Sequence, residues 1–189
     1  MPSKLEARQK ARQDDIITAA RRCFRQSGFH AASMSQIAAE ARLSVGQIYR
    51  YFSNKNAIIG EIIRRVIDLR INEMEGKTHT HQIPYMLAWR ITTTQDDDAL
   101  MLEMSAEASR NPEVAALLKE AEDVMFENAC DHLRKTYPHL SETRVRCCAE
   151  AIAVMFKGTI YRRQTPLQVP SEEMEKVYKE IINMLVSES

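Results

Sequence analysis

The sequence predicts an all-α fold of about nine helices. Of its 189 residues only five are glycine and six are proline, and the residues that favour helices, such as Ala, Glu, Arg, Met and Leu, are abundant. No segment shows the sustained alternation of apolar and polar residues that indicates a strand. With 44% apolar and 28% charged residues, the chain can bury a sizeable core in one or two domains.

Cysteine usage and hydropathy indicate the compartment. The four cysteines, Cys23, Cys130, Cys147 and Cys148, show no C-x-x-C spacing, so we expect a reduced protein that folds without disulfides. The N-terminus MPSKLEARQKARQ has no apolar signal-peptide core. No later apolar run approaches the roughly 20 residues that span a bilayer. We therefore expect a cytoplasmic protein without membrane contact.

The formal charge of zero hides an asymmetry along the chain. Residues 1–55 hold ten Lys and Arg and four acids, a net charge of +6, and the remainder carries −6. A basic head of this kind is typical of proteins that bind a polyanion.

The first helix is predicted from about Ala7 to Gln26, and its apolar face holds Ile16, Ala19, Ala20, Cys23 and Phe24. Ser27-Gly28 should end it, with Gly28 in a left-handed conformation. Two short helices joined by a tight turn should follow. Each opens with a Ser-x-x-Gln capping box, in which the two side chains satisfy free backbone donors; the boxes are Ser33–Gln36 and Ser44–Gln47.

A long fourth helix is predicted from Asn54 to about Glu75, where KTHTH breaks the pattern. Five more helices are predicted at about 82–95, 97–109, 112–135, 142–163 and 171–187. Asn111-Pro112 puts proline at a first helical position, and Pro170-Ser171-Glu172-Glu173 supplies a cap and acids for the helix dipole. We place the domain boundary along the fourth helix, which separates residues 1–56 from residues 57–189.

The segment VGQIYRYF, residues 45–52, carries the clearest chemical pattern. Val45, Ile48 and Phe52 are spaced to face the core. The remaining side chains then point outward: Gln47, Tyr49, Arg50 and Tyr51. Gln and Arg can read base edges in the major groove, and tyrosine hydroxyls often bond phosphate oxygens. Gly46 is a poor helix residue, which suggests a close approach of DNA to the backbone there.

Lys55 gives a separate indication. A cation at the start of a helix opposes the macrodipole, so its position predicts a docked anion such as a phosphate. The pair of short helices has the shape of a helix-turn-helix DNA reader.

These residues also carry a resemblance. Gly28-Phe29, Ser33-x-x-x-Ile37-Ala38, Ala41 and Leu43-Ser44-x-Gly46-x-Ile48-Tyr49-x-Tyr51-Phe52-x-Asn54-Lys55 resemble the DNA-binding domain of the TetR (tetracycline-repressor-like) family over about residues 10–60. The resemblance implies a set of DNA-contacting residues: Ser33, Gln36, Arg42, Ser44, Val45, Gly46, Gln47, Tyr49, Arg50, Tyr51 and Lys55. The family often has glycine where this chain has Arg42, so Arg42 is expected to hold a strained turn.

The family resemblance further implies a regulator, most often a repressor, that binds palindromic double-stranded operator DNA as a homodimer and releases it when a small-molecule effector binds. The family dimerises through its last two long helices. Apolar stripes on the corresponding helices of this chain give the expected interface: Val145, Cys148, Ile152, Met155, Val177, Ile181 and Met184. Gly158 should permit close helix approach.

Methionine is concentrated in the C-terminal part of the chain, where flexible thioethers suit a cavity that adapts to a ligand. The expected effector-binding residues are Met86, Trp89, Arg90, Met101, Met104, Met125 and Phe126. Arg90 could meet an anionic ligand, or it could pair with Glu107, and the pairing is the simpler expectation.

Three other functions fit parts of the sequence less well. A di-iron enzyme would need Glu-x-x-His pairs, which the sequence lacks, and His79-Thr80-His81 lies in a polar turn; neither a cofactor nor a metal is predicted. Adjacent Cys147 and Cys148 could form a thiol sensor, but neighbours on a helix point in different directions. A helical adaptor whose basic face binds acidic proteins would lack sequence-specific DNA binding.

Overall fold

The computed structural model describes residues 3–77, 82–92, 96–162, 165 and 168–187. Within these ranges the regular structure is entirely helical, which confirms the all-α prediction. The nine helices are α1 (Lys4–Ala31), α2 (Met34–Glu40), α3 (Val45–Ile48), α4 (Lys55–Lys77), α5 (Ile83–Thr92), α6 (Asp96–Ala108), α7 (Pro112–Thr136), α8 (Glu142–Arg162) and α9 (Ser171–Val186). None of the described helices has the length and hydropathy to cross a bilayer.

Helix ends follow the local signals in most places. Asn54 accepts a hydrogen bond from the Ala57 N–H at 2.8 Å and so caps α4, and Pro112 is the first residue of α7. The expected serine cap of α9 is wrong: Ser171 is already helical, and Pro170 precedes it without a side-chain cap. The predicted His79-Thr80-His81 turn lies outside the described residues.

Helix α1 begins earlier than predicted, and its regular geometry is interrupted at Gly28, where the sequence placed its end. Ser3 and Glu6 form a capping box, with the Glu6 N–H donating to Ser3 Oγ at 3.2 Å, so the helix begins at Lys4. Near its other end the backbone breaks at Gly28, with φ 72° and ψ 163°. The positive φ was predicted, but this ψ belongs to a region that only glycine adopts without strain.

The chain divides into two compact units. Unit 1 comprises residues up to Val66 together with Ala99–Lys119. Its core is formed by α1 to α4 and by the parts of α6 and α7 that belong to it; the buried side chains include Ile16, Phe24, Ile37, Ile48, Ile58, Ile62, Met104 and Val114. The functional boundary after residue 56 stays a prediction.

Unit 2 comprises Ile67–Asp98 and Glu120–Ser189. Helix α5 packs against α8 and α9, and the shared core is made of Ile83, Leu87, Cys130, Leu133, Val145, Cys148, Ala149, Ile152 and Ile182. The last turn of α9 is held by α8, because Arg144 Nε and Cys148 Sγ both donate to the Leu185 carbonyl, at 3.0 and 3.1 Å.

The two adjacent cysteines do point in different directions: Cys147 is exposed and Cys148 is buried. Burial raises the pKa of the Cys148 thiol, as it does for Cys23 and Cys130. A buried thiol with a raised pKa is a poor nucleophile, so these three cysteines act as small apolar core residues.

Candidate nucleic-acid interface

Helices α2 and α3 are each started by the predicted capping box. In α2 the Ser33 N–H donates to Gln36 Oε1 at 2.8 Å, and the Gln36 N–H donates to Ser33 Oγ at 3.2 Å. In α3 the Ser44 N–H donates to Gln47 Oε1 at 2.8 Å, and the Gln47 N–H donates to Ser44 Oγ at 3.3 Å. Both helices are therefore fixed at their N-termini by their own side chains.

The turn between α2 and α3 contains the strain that the sequence predicts. Arg42 has φ 55° and is the one non-glycine residue with positive φ in the described chain. Its N–H donates to the Ala39 carbonyl at 3.0 Å, and the Leu43 N–H donates to the Ala38 carbonyl at 2.9 Å. This pair of bonds is the Schellman motif, which usually places glycine where Arg42 stands.

Helix α3 is shorter than the predicted 45–52 segment. Its regular part ends at Ile48. The next residues form a hydrogen-bonded turn, in which the N–H groups of Tyr49, Tyr51 and Phe52 donate to carbonyls of α3. Ile48 and Phe52 are buried at 0% and 7% exposure, as predicted, but Val45 is 41% exposed. The core assignment of Val45 is therefore wrong, and its side chain joins the outer face.

That outer face carries exposed cations and hydroxyl groups. Tyr49 is 51% exposed, and Arg42, Gln47 and Arg50 are exposed as well. Among the described residues neither Arg42 nor Arg50 forms an ion pair. A β-carbon added at Gly46 would have no described atom within 4 Å, so nothing inside the fold explains this glycine.

The Gln47 side chain is needed both for the capping box of α3 and for reading a base. Its carbonyl oxygen already accepts the Ser44 N–H at 2.8 Å, which leaves the amide NH₂ to face outward. Bidentate recognition of adenine needs both the carbonyl and the NH₂. As placed, Gln47 can donate a hydrogen bond but cannot also accept one without opening its capping box.

Lys55 is not a misplaced cation. Its ammonium donates to the carbonyls of Phe29, His30 and Ala32 at 2.7, 3.2 and 2.8 Å. The nitrogen also lies 4.3 Å from the centroid of the Phe29 ring. Burial lowers the pKa of this lysine, and the Glu107 carboxylate opposes the shift. The argument that predicted a phosphate here is wrong, because three carbonyls at the end of α1 already use the three N–H donors.

Glu103 is a residue that the sequence did not single out. Its Oε1 accepts the Phe29 N–H at 2.8 Å, so α6 supplies the hydrogen-bond partner for a backbone group beside Gly28. A carboxylate on an amphipathic helix reads as an ordinary surface charge. Only the break at Gly28, which frees that N–H, could have indicated its role.

The expected effector residues fall in both units. The half-buried Met101 and the fully buried Met104 belong to unit 1. Phe126 packs against the core of unit 2. Trp89 is 40% exposed. The remaining members, Met86 and Met125, are half-buried residues of unit 2. Whether any of them binds an effector stays a prediction.

Arg90 does not pair with Glu107. Its Nη2 lies 3.4 Å from Asp98 Oδ1, with the two side chains 9% and 8% exposed, and its Nε lies 3.5 Å from Thr159 Oγ1. Glu107 instead accepts hydrogen bonds from Arg110 at 2.8 Å and Asn111 at 3.2 Å. The predicted pairing is wrong because each charge finds a partner within its own unit.

The α8 stripe expected to form a dimer interface lies mostly inside the subunit. Val145 and Cys148 are 1% exposed and Ile152 is 8% exposed, and Met155 packs against the same core. Val145, Cys148 and Ile152 are therefore core residues of the subunit, because α5 packs on that face of α8 and Ile182 of α9 shares the same core.

A second apolar face of α8 is left uncovered in the single chain. Val154 and Tyr161 are 59% and 63% exposed, and the exposed Gly158 lies between them at helical spacing. On α9, Val177 and Met184 are 46% and 66% exposed, and the half-buried Ile181 lies between them. Exposed apolar stripes on two adjacent helices are typical of an association surface.

Known bacterial regulators are similar to this chain in sequence. Residues 16–62 match the family model described as "Bacterial regulatory proteins, tetR family". The chain is 34% identical over 126 residues to the HTH-type transcriptional regulator UidR of Escherichia coli K12, an alignment that covers 63% of each protein. It is 31% identical over 117 residues to HbdR of an Aromatoleum species, covering 59% of this chain and 51% of that one.

Among solved structures, Salmonella enterica GusR superposes with a TM-score of 0.77 at 18% identity, covering 93% of this chain and 95% of that one. At this identity the likeness concerns the fold. The matched sequence relatives are transcriptional regulators rather than enzymes, and the chain matches slightly less than two thirds of the length of UidR.

Proposed function

We propose that the chain is a member of the tetR family of bacterial regulatory proteins, whose model matches residues 16–62, and that it is a ligand-responsive transcriptional regulator that represses by binding a palindromic operator as a homodimer. The observation that carries the proposal is the exposed outer face of α3 and of the turn after it, where Arg50 has no ion-pair partner in the described chain and Gly46 has no steric role. An exposed guanidinium in the turn that directly follows a short helix fixed by its capping box suits a major-groove reader.

The roles within this face follow from hydrogen-bonding capacity. Arg50 has free donors for the guanine O6 and N7 acceptors, and it is the residue we expect to set base preference. Gln47 offers one NH₂ donor only. Val45, exposed beside them, can contact a thymine methyl group.

We expect most other members of the proposed DNA-contacting set to contact the phosphate backbone of the DNA. Ser33, Gln36, Arg42, Ser44, Tyr49 and Tyr51 carry donors suited to phosphate oxygens. Lys55 is left out of the set, because its ammonium is already bonded to three carbonyls.

The direct test is selection from a randomised duplex pool by the purified full-length protein, followed by sequencing of the retained DNA. We expect a pseudo-palindrome with half-sites about one helical turn or somewhat more apart. Arg50→Ala should relax the preference at one position in each half-site and cost about 1–3 kcal/mol. A retained pool without two-fold symmetry, or one unchanged by Arg50→Ala, would contradict the proposal.

A matched pair of glutamine variants separates reading from capping. Gln47→Glu and Gln36→Glu both preserve a capping box, because glutamate also serves at the third helical position. Each adds one negative charge. We expect Gln47→Glu to weaken operator binding much more than Gln36→Glu while both keep the thermal stability of the parent, since the Gln47 NH₂ faces the bases. Equal losses of operator affinity in the two variants would show that Gln47 does not contact the bases.

For the switch we propose a small, partly apolar effector bound in unit 2 beside Met86, Trp89 and Arg90. The support is chemical: Arg90, Asp98 and Thr159 form a polar cluster buried in unit 2, and the burial of charged groups is costly. An anionic effector group would compete with Asp98 for the guanidinium.

Release of DNA requires the effector to bind the DNA-free state more tightly, and a hundredfold loss of operator affinity corresponds to about 2.7 kcal/mol of coupling. Trp89 is the one tryptophan in the sequence, so its fluorescence can report binding, with Trp89→Phe as the control. An effector that binds equally well with and without saturating operator would refute the switch.

A further inference from the structure

The first three turns of α1 extend beyond the part of the chain that matches the family. The match begins at residue 16, but α1 begins at Lys4. Residues 3–12 are all exposed, so burial in the core does not explain their helix. Short helices without tertiary packing are marginal in water, and the Ser3–Glu6 capping box supports only the first turn.

One face of this extension forms a cleft of about 290 Å³ with the α3 region. The α1 side is lined by Leu5, Arg8, Gln9 and Arg12, and the opposite side by Leu43, Gln47, Arg50 and Tyr51. The α1 residues are spaced i, i+3, i+4 and i+7, which places them on one side of the helix. The cleft therefore adjoins the residues proposed to read DNA.

The chemistry of the cleft favours an anion. Three of its eight lining residues are arginines and none is a carboxylate. Arg8 and Arg50 have no ion-pair partner among the described residues. Arg12 lies 3.3 Å from Asp15, but both side chains are about half exposed, at 47% and 57%, and such pairs contribute little to stability. Arg12 can exchange that partner for a phosphate.

We infer that this cleft binds the phosphate backbone of the same operator that α3 reads, so that the N-terminal extension of α1 is a second DNA-contacting element. Two observations favour DNA as the occupant over an acidic protein segment. The charge is complementary to phosphate, whose oxygens accept paired guanidinium donors. Arg50 and Gln47 also line both the cleft and the proposed reading face, so one duplex can engage both. The inference rests on the proposed function.

The test compares two double variants of the full-length protein. Arg8→Ala/Arg12→Ala removes two charges from the cleft, and Lys4→Ala/Lys10→Ala removes two charges from the same turns of α1 but outside the cleft lining. Alanine favours helix, so the extension should stay folded in both, which circular dichroism checks. Affinity for the selected duplex is measured between 50 and 200 mM salt.

We expect the cleft variant to flatten the slope of log affinity against log salt by about 1.8. Between 50 and 200 mM salt, its loss of affinity should then be about twelvefold smaller than that of the parent. The lysine variant should change the slope by less than half as much. Ethylation of individual phosphates should identify positions where the modification blocks the parent and the lysine variant but no longer affects the cleft variant.

The outcomes separate the inference from the proposed function. A parent protein that selects no duplex refutes the function, and the inference with it. A parent that selects a palindrome, with a cleft variant whose slope and ethylation pattern are unchanged, refutes the inference alone. Equal flattening by both double variants would attribute the effect to general charge. Binding of poly-glutamate that depends on Arg8 and Arg12, with DNA binding unchanged, would make an acidic protein the occupant.

Discussion

Lys55 holds Phe29 by two contacts at once: its ammonium donates to the Phe29 carbonyl at 2.7 Å and lies 4.3 Å from the centre of the Phe29 ring. Glu103 accepts the N–H of the same residue at 2.8 Å. The N–H, the carbonyl and the ring of Phe29 are thus all fixed by side chains from α4 and α6. The break at Gly28 needs these partners, because it leaves helix carbonyls and an N–H without their usual bonds.

Lys55→Met should therefore destabilise the protein rather than change DNA recognition. The variant keeps most of the aliphatic side chain but leaves three carbonyls without their donor, at an expected cost of about 1–3 kcal/mol. Chemical denaturation measures this cost, and a salt titration of operator binding should give the parental slope. A stable variant with a flattened slope would restore Lys55 as a phosphate contact.

Gly28→Ala should be among the most destabilising single changes in unit 1. Its φ of 72° and ψ of 163° are strained for alanine, at about 1–3 kcal/mol, and the new β-carbon would lie 2.9 Å from Glu103 Oε1. In the double variant Gly28→Ala/Glu103→Ala the collision is gone, but the backbone strain and the lost acceptor of the Phe29 N–H remain. We expect its loss to be smaller than the sum of the two single losses, as measured by denaturation; strict additivity would show that the two residues do not interact.

Arg42→Gly should raise stability, whereas Arg42→Ala should not. The φ of 55° costs a residue with a side chain about 1–2 kcal/mol. Glycine avoids this cost, but it loses more conformational entropy on folding, which cancels part of the gain. We expect a net gain of about 0.5–1 kcal/mol for glycine. Both variants lose the guanidinium, so equal losses of operator affinity in the two would assign Arg42 a DNA contact. Parental affinity in both would limit Arg42 to the turn.

Val154→Glu should give a folded monomer. Val154 is 59% exposed in the single chain, so a charge there does not disturb the subunit core, but it would be costly to bury without a partner at an apolar interface. Analytical ultracentrifugation should show the mass of a monomer, and circular dichroism should show the helicity of the parent. Operator affinity should fall because the dimer is lost.

Two further variants give the comparison for that result. Val145→Glu, at a position 1% exposed, should instead unfold the protein. Thr18→Glu adds the same charge at an exposed position of α1, in unit 1, and should leave the mass unchanged. If Val154→Glu sediments as a dimer at micromolar concentration, the interface lies on another surface.

Local signals in the sequence were enough to predict most elements. Both Ser-x-x-Gln boxes form, and the Schellman turn strains Arg42 as its departure from glycine indicated. These features depend on residues within a few positions of one another, so their physics can be read from a short segment.

Tertiary partners were the part that the sequence could not specify. Helix α8 has two apolar faces, one through Val145 and Ile152 and one through Val154 and Tyr161, and periodicity cannot tell which one the subunit covers. The ammonium of Lys55 was assigned to an anion because its acceptors come from residues more than twenty positions away. The partner of Arg90, Asp98, is only eight positions away but on a different helix, and helical periodicity within one helix does not indicate which side chains of two helices meet.

The composition of unit 1 from two separate stretches, residues up to Val66 and Ala99–Lys119, has a consequence for how the chain is made. A ribosome that has released the first 66 residues has not yet supplied Glu103, which accepts the Phe29 N–H, or the buried Met104 and Val114. Unit 1 can complete its core only after the intervening segment has also been synthesised. A fragment cut after α4 would therefore expose apolar surface, and an excised reading module would need residues 99–119 joined to it.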